Sequence, residues 1–261
     1  MSWFSSFWFY IFAAHFIAMK LDILAIAAHP DDVELSCAGT LIRHALAGQA
    51  VGVLDLTESQ LSTRGSVELR QQEAKNASTV MGLKVRMNAG MEDGFFRNDE
   101  EHQRHLIKYI RYFRPEIVLG NSLSDRHPDH SRAGRLIADA CFYSGLQKIQ
   151  TEWEGQLQEA WRPKRVYHYI QDRFLEPDFI VDIADVFNKK MEAINCYSSQ
   201  FYNPGSDEPA TYISSGDFMD QIRAKDLMFG KRIGTRYGEG FISENVPGVS
   251  SLSDLFLPDL P

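Results

Sequence analysis

Cysteine is scarce in this chain: Cys37, Cys141 and Cys196 are the only three among 261 residues. They form no CxxC pair, and an odd, widely spaced set argues against a disulfide framework. A reducing compartment, and with it a cytoplasmic location, is expected. Cys37 reads as a small buried hydrophobe rather than a ligand. Basic tracts are also missing. The net charge is −8, which speaks against a nucleic-acid partner. No apolar run reaches the ~20 residues of a spanning helix. Residues 2–18 are aromatic and greasy, but His15 interrupts them and they lack the basic start of a secretory signal. They read as an extension outside the fold; a membrane- or partner-binding segment and a poor signal peptide are the alternatives. No stable membrane insertion is expected. GxGxxG is absent before the first helix, where Gly39 is the only nearby glycine, so a dinucleotide cofactor is disfavoured. With no internal repeat and no low-complexity linker, residues 19–261 read as a single domain.

What is present is an alternation of strand and helix patterns. Leu21–Ala28, Val51–Leu56, Lys84–Asn88 and Glu116–Gly120 read as strands one to four. Helices are expected over Val33–Ala47, Ser66–Met81, Glu100–Phe113 and His130–Phe142. Arg165–Ile170 and Phe179–Ile183 look like further strands, and Ala184–Tyr197 and Asp217–Ile233 like helices. The stretch Gln147–Trp161 looks like a surface loop or insertion. The pattern predicts an α/β fold: a Rossmann-like parallel sheet of order 3-2-1-4-5, flanked by helices, with an elaborated C-terminal part.

Two clusters of chemistry sit at strand ends. His29-Pro30-Asp31-Asp32 follows strand one, and Asp125-Arg126-His127-Pro128-Asp129-His130 follows strand four. In a 3-2-1-4-5 sheet these strands are neighbours, and their diverging loops leave a crevice at the carboxyl ends. Topology alone therefore gathers His29, Asp31, Asp32, His127, Asp129 and His130 in one pocket. Nitrogen and carboxylate donors in this number suit a divalent metal. His29 and Asp32, three apart across a tight turn, with His130 as a third donor, would leave open positions for water. Helix capping by Asp31 or Asp32 is the blander reading.

Asp31 is then the spare carboxylate, either a general base or a partner of a ligand histidine. His127 backed by Asp129 would be a charged imidazole for a developing oxyanion or a leaving amine; it could instead be an extra ligand or simply packed in the loop. Arg70 and Arg126 are candidates for clamping a substrate carboxylate. From spacing alone, Arg70 is equally well read as the partner of Glu68 or Glu73 on a helix surface.

The motifs AHPDD (28–32) and RHPDH (126–130), with the stretch DLTESQLSTRGSVELRQQEA (55–74), resemble the PIG-L/LmbE family of zinc-dependent N-acetylglucosamine deacetylases. The resemblance spans about residues 19–242. Tyr197-Ser198-Ser199-Gln200-Phe201, Met228-Phe229-Gly230 and Glu239-Gly240-Phe241 are similar to the bacillithiol-making branch. It implies one zinc ion held by His29, Asp32 and His130, with other divalent metals as substitutes. Asp31 would be the general base, His127 with Asp129 the intermediate-stabilising pair, and Arg70 and Arg126 the substrate holders. The expected substrate is a small amino sugar, N-acetylglucosaminyl malate first, and a homo-oligomer is expected. Other N-acyl sugars, thiol conjugates and a non-catalytic sugar-binding role are the alternatives. Many relatives carry a TxGE-type loop where this chain has Thr57-Glu58-Ser59-Gln60, so the resemblance assigns no sugar contact there.

Overall fold

The computed structural model describes residues 19–201 and 205–255. Expectations for residues 1–18 lie outside the described residues. In chain order the elements are β1 (Ile23–Ala27), α1 (Asp32–Leu46), β2 (Val51–Thr57), α2 (Val67–Met81), β3 (Val85–Met91), α3 (Glu100–Phe113), β4 (Ile117–Gly120) and α4 (Pro128–Tyr143). There follow β5 (Glu152–Trp153), β6 (Gln156–Leu157), β7 (Arg165–Tyr169), β8 (Phe179–Asp182), α5 (Phe187–Asn195), α6 (Phe218–Arg232) and β9 (Gly238–Ser243).

The main sheet runs β3-β2-β1-β4-β7-β9-β8. Its first five strands are parallel, so the expected 3-2-1-4-5 order holds with β7 as the fifth. β9 then pairs antiparallel with both β7 and β8. The sequence reading missed β9 because Gly238-Glu239-Gly240 looks like a loop. Both glycines are needed there: a Cβ on Gly238 would sit 3.0 Å from the Gly230 backbone nitrogen, and one on Gly240 2.9 Å from the Phe229 ring. The small hairpin β5–β6 lies in the stretch read as an insertion.

β1 and β2 are buried on both faces, which is why they read as continuous apolar runs. Alternate residues feed two cores. Ile23, Ala25, Val51 and Val53 pack beneath α1, α2 and α5; Leu24, Ile26, Leu54 and Leu56 pack beneath α3 and α4. Local signals fix the helix ends. Ser66 caps α2 by accepting from the Leu69 N–H at 3.2 Å, and Gly82, at φ 71°, closes it. This double winding places the ends of β1 and β4 side by side.

Candidate metal centre and cleft

The turn between β1 and α1 is held in an unusual conformation. Asp31 has φ 117°, a region that a non-glycine residue occupies only at a cost of order 1–3 kcal/mol. Arg70 of α2 over-determines it: the guanidinium donates to Asp31 Oδ2 at 3.0 Å and to the Pro30 carbonyl at 2.7 Å. Asp31 stands at the N-cap position of α1 but makes no side-chain cap. Capping therefore does not explain the doubled aspartate.

Asp32 is the hub of the site. Its Oδ2 accepts from the His29 backbone N–H at 3.0 Å and from Asn121 Nδ2 at 3.1 Å, and lies 3.7 Å from His29 Nδ1. Its Oδ1 lies 3.1 Å from His130 Nε2 and accepts from Gln171 Nε2 at 2.6 Å. The flanking cations and donors hold this carboxyl well below the usual range despite its burial.

The second turn, after β4, is built by Pro128 at the first position of α4. His127 caps that helix: its Nδ1 accepts the Asp129 N–H at 3.3 Å. His130, one turn in, directs Nδ1 to Asp125 at 3.2 Å and Nε2 to Asp32. The expected His127–Asp129 pair is corrected here. The Asp129 carboxylate faces His29 Nε2 at 3.3 Å, the Gly94 N–H at 2.9 Å and Arg132 at 2.8 Å. No hydrogen bond joins it to the His127 ring. Burial, then the neighbouring His29 and His130, lower the His127 pKa below 6.5, so this imidazole is neutral rather than charged.

His29 is surrounded by carboxylates. Nε2 lies 3.1 Å from Asp93 and 3.3 Å from Asp129, while Nδ1 faces Asp32. Burial pulls its pKa down, but hydrogen bonds with Asp129, Asp32 and Asp93 override this and raise it well above 6.5. His130 is likewise pushed up to about 9: burial opposes the charge of Asp32 and the bonds to Asp125 and Asp32, and loses. The cluster thus demands positive charge. Its donor atoms suit a metal as the source. Those of His29, His127 and His130 lie within 4.8 Å of one another, as do those of His29, Asp93 and Asp129. Asp32 turns one oxygen to each imidazole, Oδ1 at 3.1 Å from His130 Nε2 and Oδ2 at 3.7 Å from His29 Nδ1.

These groups line a cleft of about 320 Å³. Arg70 borders it but is 5% exposed, so the surface pairing with Glu68 or Glu73 does not occur; Glu73 instead accepts from Ser199 N–H and Oγ. Arg126 stands at the rim, its Nε 3.3 Å from Asp172 and its guanidinium 4.2 Å from the Tyr212 ring centroid. Leu35, Leu61, Ile213, Phe218 and Ile222 form an apolar wall. Reasoning from sequence missed Asp93, Asn121 and Gln171. Each follows a strand, β3, β4 and β7, so the strand-end rule that found the two motifs could have found them too.

Fold and site together define a metal-dependent hydrolase of the α/β class. The family model described as PIG-L, GlcNAc-PI de-N-acetylase, matches residues 24–141. A solved structure of a conserved protein from Thermus thermophilus superposes with a TM-score of 0.79 at 31% identity, covering 93% of this chain and all of that one. The chain belongs to the PIG-L family of deacetylases. A diacetylchitobiose deacetylase of Thermococcus kodakarensis is 29% identical over 87% of this chain and 84% of its own. A 4-oxalmesaconate hydratase of Pseudomonas putida is 28% identical over 68% of this chain and 73% of its own. Among the described residues, no helix is long and apolar enough to cross a membrane.

Proposed function

We propose that this enzyme hydrolyses the N-acetyl group of an N-acetylglucosamine conjugate, using one zinc ion held by His29, Asp32 and His130. The observation that carries the reading is the contrast between two adjacent carboxyls. Asp32 is saturated by donors and stays ionised. Asp31, buried in the cleft wall, is pushed up to about 7, with Arg70 pulling the other way. A carboxyl near 7 beside a metal site suits a general base at neutral pH. A pure binding module has no use for one.

When bound, the ion would supply Lewis acidity and bring the pKa of a water to about 7. Asp31 takes the proton as water attacks the acetamide carbon, then delivers it to the leaving amine. The Asp129 N–H occupies His127 Nδ1, so the His127 proton sits on Nε2. That N–H is the donor for the carbonyl oxygen as it gains charge. Asp129 serves His29 rather than His127, fixing the imidazole that holds the ion. Acetate and a free amino sugar leave.

For the conjugate we favour N-acetylglucosaminyl malate, the substrate of the bacillithiol-making branch. Arg126, with Nε 3.3 Å from Asp172 and its face on Tyr212, holds a guanidinium at the cleft rim for a carboxylate. Arg70 contributes through its hold on Asp31. The reading includes a single domain from residue 19 onward, a cytoplasmic location, consistent with three free cysteines, and a homo-oligomer.

The test is acetate release from N-acetylglucosaminyl malate, diacetylchitobiose and free N-acetylglucosamine, before and after chelation. Equimolar acetate and amine, lost with chelator and restored by zinc, is expected, fastest on the malyl compound. Equal rates on charged and neutral sugars would remove the malyl assignment. Turnover of an unsaturated dicarboxylate, with no acetate from any sugar, would replace amide hydrolysis by hydration.

A further inference from the structure

Helix α1 opens on Asp32, with Asp31 as its N-cap residue, and is broken within its second turn. Cys37 has φ −141° and ψ 16°, outside helical values. A break leaves N–H and C=O groups without helical partners, here in the protein interior. Charged side chains meet them from both sides. Glu239 of β9 caps the second half, accepting from the Gly39 N–H at 2.9 Å, the Thr40 N–H at 2.7 Å and Thr40 Oγ1 at 2.6 Å. Lys225 of α6 closes the first half, its Nζ donating to the Leu35 carbonyl at 3.3 Å. The same ammonium donates to the Ile170 and Gln171 carbonyls at 3.4 and 2.9 Å. Lys190 of α5 balances the set, 2.7 Å from Asp226 and 2.9 Å from Glu239.

Lys190, Asp226 and Glu239 are at most 1% exposed. Buried ion pairs are weak devices for stability, since apolar side chains of similar volume commonly do as well. Geometry gives this one another use. Lys225 ties together two pieces of backbone: the first turn of α1, which bears Asp32, and the end of β7, which bears Gln171. Across that joint Gln171 Nε2 donates to Asp32 Oδ1 at 2.6 Å, and Gln171 Oε1 accepts from Asn121 at 3.3 Å.

We propose that Gln171 and Lys225 are positioning residues that hold Asp32 in ligand geometry and so set the affinity of the site for its divalent ion. Gln171 acts on the carboxylate directly. Lys225 acts through the two backbone segments, and the Lys190–Asp226–Glu239 set anchors the helix behind them. The inference rests on the ligand set proposed above and is independent of the substrate.

Zinc affinity, measured by competition against a chromophoric chelator, tests it on the full chain. Gln171→Leu and Lys225→Met are each expected to bind zinc 10- to 100-fold more weakly, the range typical for partners of metal ligands. Metal-free Gln171→Leu should still unfold in one cooperative transition, with its midpoint lowered by the lost bond to buried Asp32. His130→Ala serves as the reference for a lost ligand. Wild-type affinity in Gln171→Leu, with affinity lost in His130→Ala, overturns the positioning role alone. Wild-type affinity in His130→Ala as well overturns the ligand set. Because Gln171 sits in a loop, its variant decides the matter even where Lys225→Met does not fold.

Discussion

In the proposed ligand set, protons and metal compete for the same two imidazoles, His29 and His130. His130 is pushed up to about 9 and His29 is also raised, by the carboxylates around them. A ligand must shed its proton before it binds a metal, so apparent affinity falls about tenfold, or about 1.4 kcal/mol, for each pH unit below the ligand's pKa. Between pH 9 and pH 7 His130 alone makes zinc binding about 50-fold weaker, or about 2.3 kcal/mol. His29, where it is protonated over the same range, steepens the slope toward two protons per ion. Stability follows with a definite sign. The folded-state pKa of His130 exceeds its ordinary 6.5, so the metal-free protein has this stabilisation in full below 6.5 and loses it as pH rises through about 9. A bound ion replaces the proton, so the melting-temperature gap between loaded and metal-free protein should widen from pH 7 to 9. Chelator competition at half-unit steps from pH 6.5 to 9.5, paired with thermal melts of both forms, measures both effects. A flat affinity between pH 7 and 9, or a narrowing gap, refutes the argument.

Asp31→Asn should retain the ion and lose ~10²-fold or more in kcat, whereas Asp32→Asn should weaken metal binding first; metal analysis beside steady-state kinetics separates the two. Arg126→Ala should lower kcat/KM on the malyl conjugate roughly tenfold to a hundredfold and leave a neutral N-acetyl sugar nearly unchanged, since a charge-assisted bond to a carboxylate contributes about 1.5–3 kcal/mol. Arg86→Ala should lower stability by about 3–5 kcal/mol, because Arg86 pairs with buried Glu34 and Asp55 and its loss leaves two carboxylates facing each other in the core; a urea midpoint that does not move would contradict this.

The parts of the molecule that sequence made legible are those written in local periodicity. β1 and β4 announce themselves as apolar runs, and the parallel-sheet rule then brings AHPDD and RHPDH together with no further information. Arg70 was singled out as a candidate for the site, but its partner was not legible. Spacing left a surface pairing with Glu68 or Glu73 equally open, and only the placing of α2 beside the β1–α1 turn buries the guanidinium on Asp31. The His127–Asp129 pairing failed for a related reason. Two residues apart in sequence, they fall in the cap and first turn of α4, where a backbone bond replaces the side-chain one. Gln171 and Asn121 are single polar residues after strands, marked by strand-end position and not by any motif; their bonds to Asp32 form only because β7 lies beside β4.

The proposed ligands and base all lie between His29 and His130, while most of the apolar wall, Ile213, Phe218 and Ile222, comes from the last quarter of the described chain. The donor atoms and most of the apolar wall thus come from different stretches of the same polypeptide. A graft of residues 205–222 from a relative would exchange that wall while leaving the donor atoms in place. Most of the apolar side of the cleft can therefore be varied as one contiguous segment, while Arg126 and the donor atoms stay in the strand-end motifs.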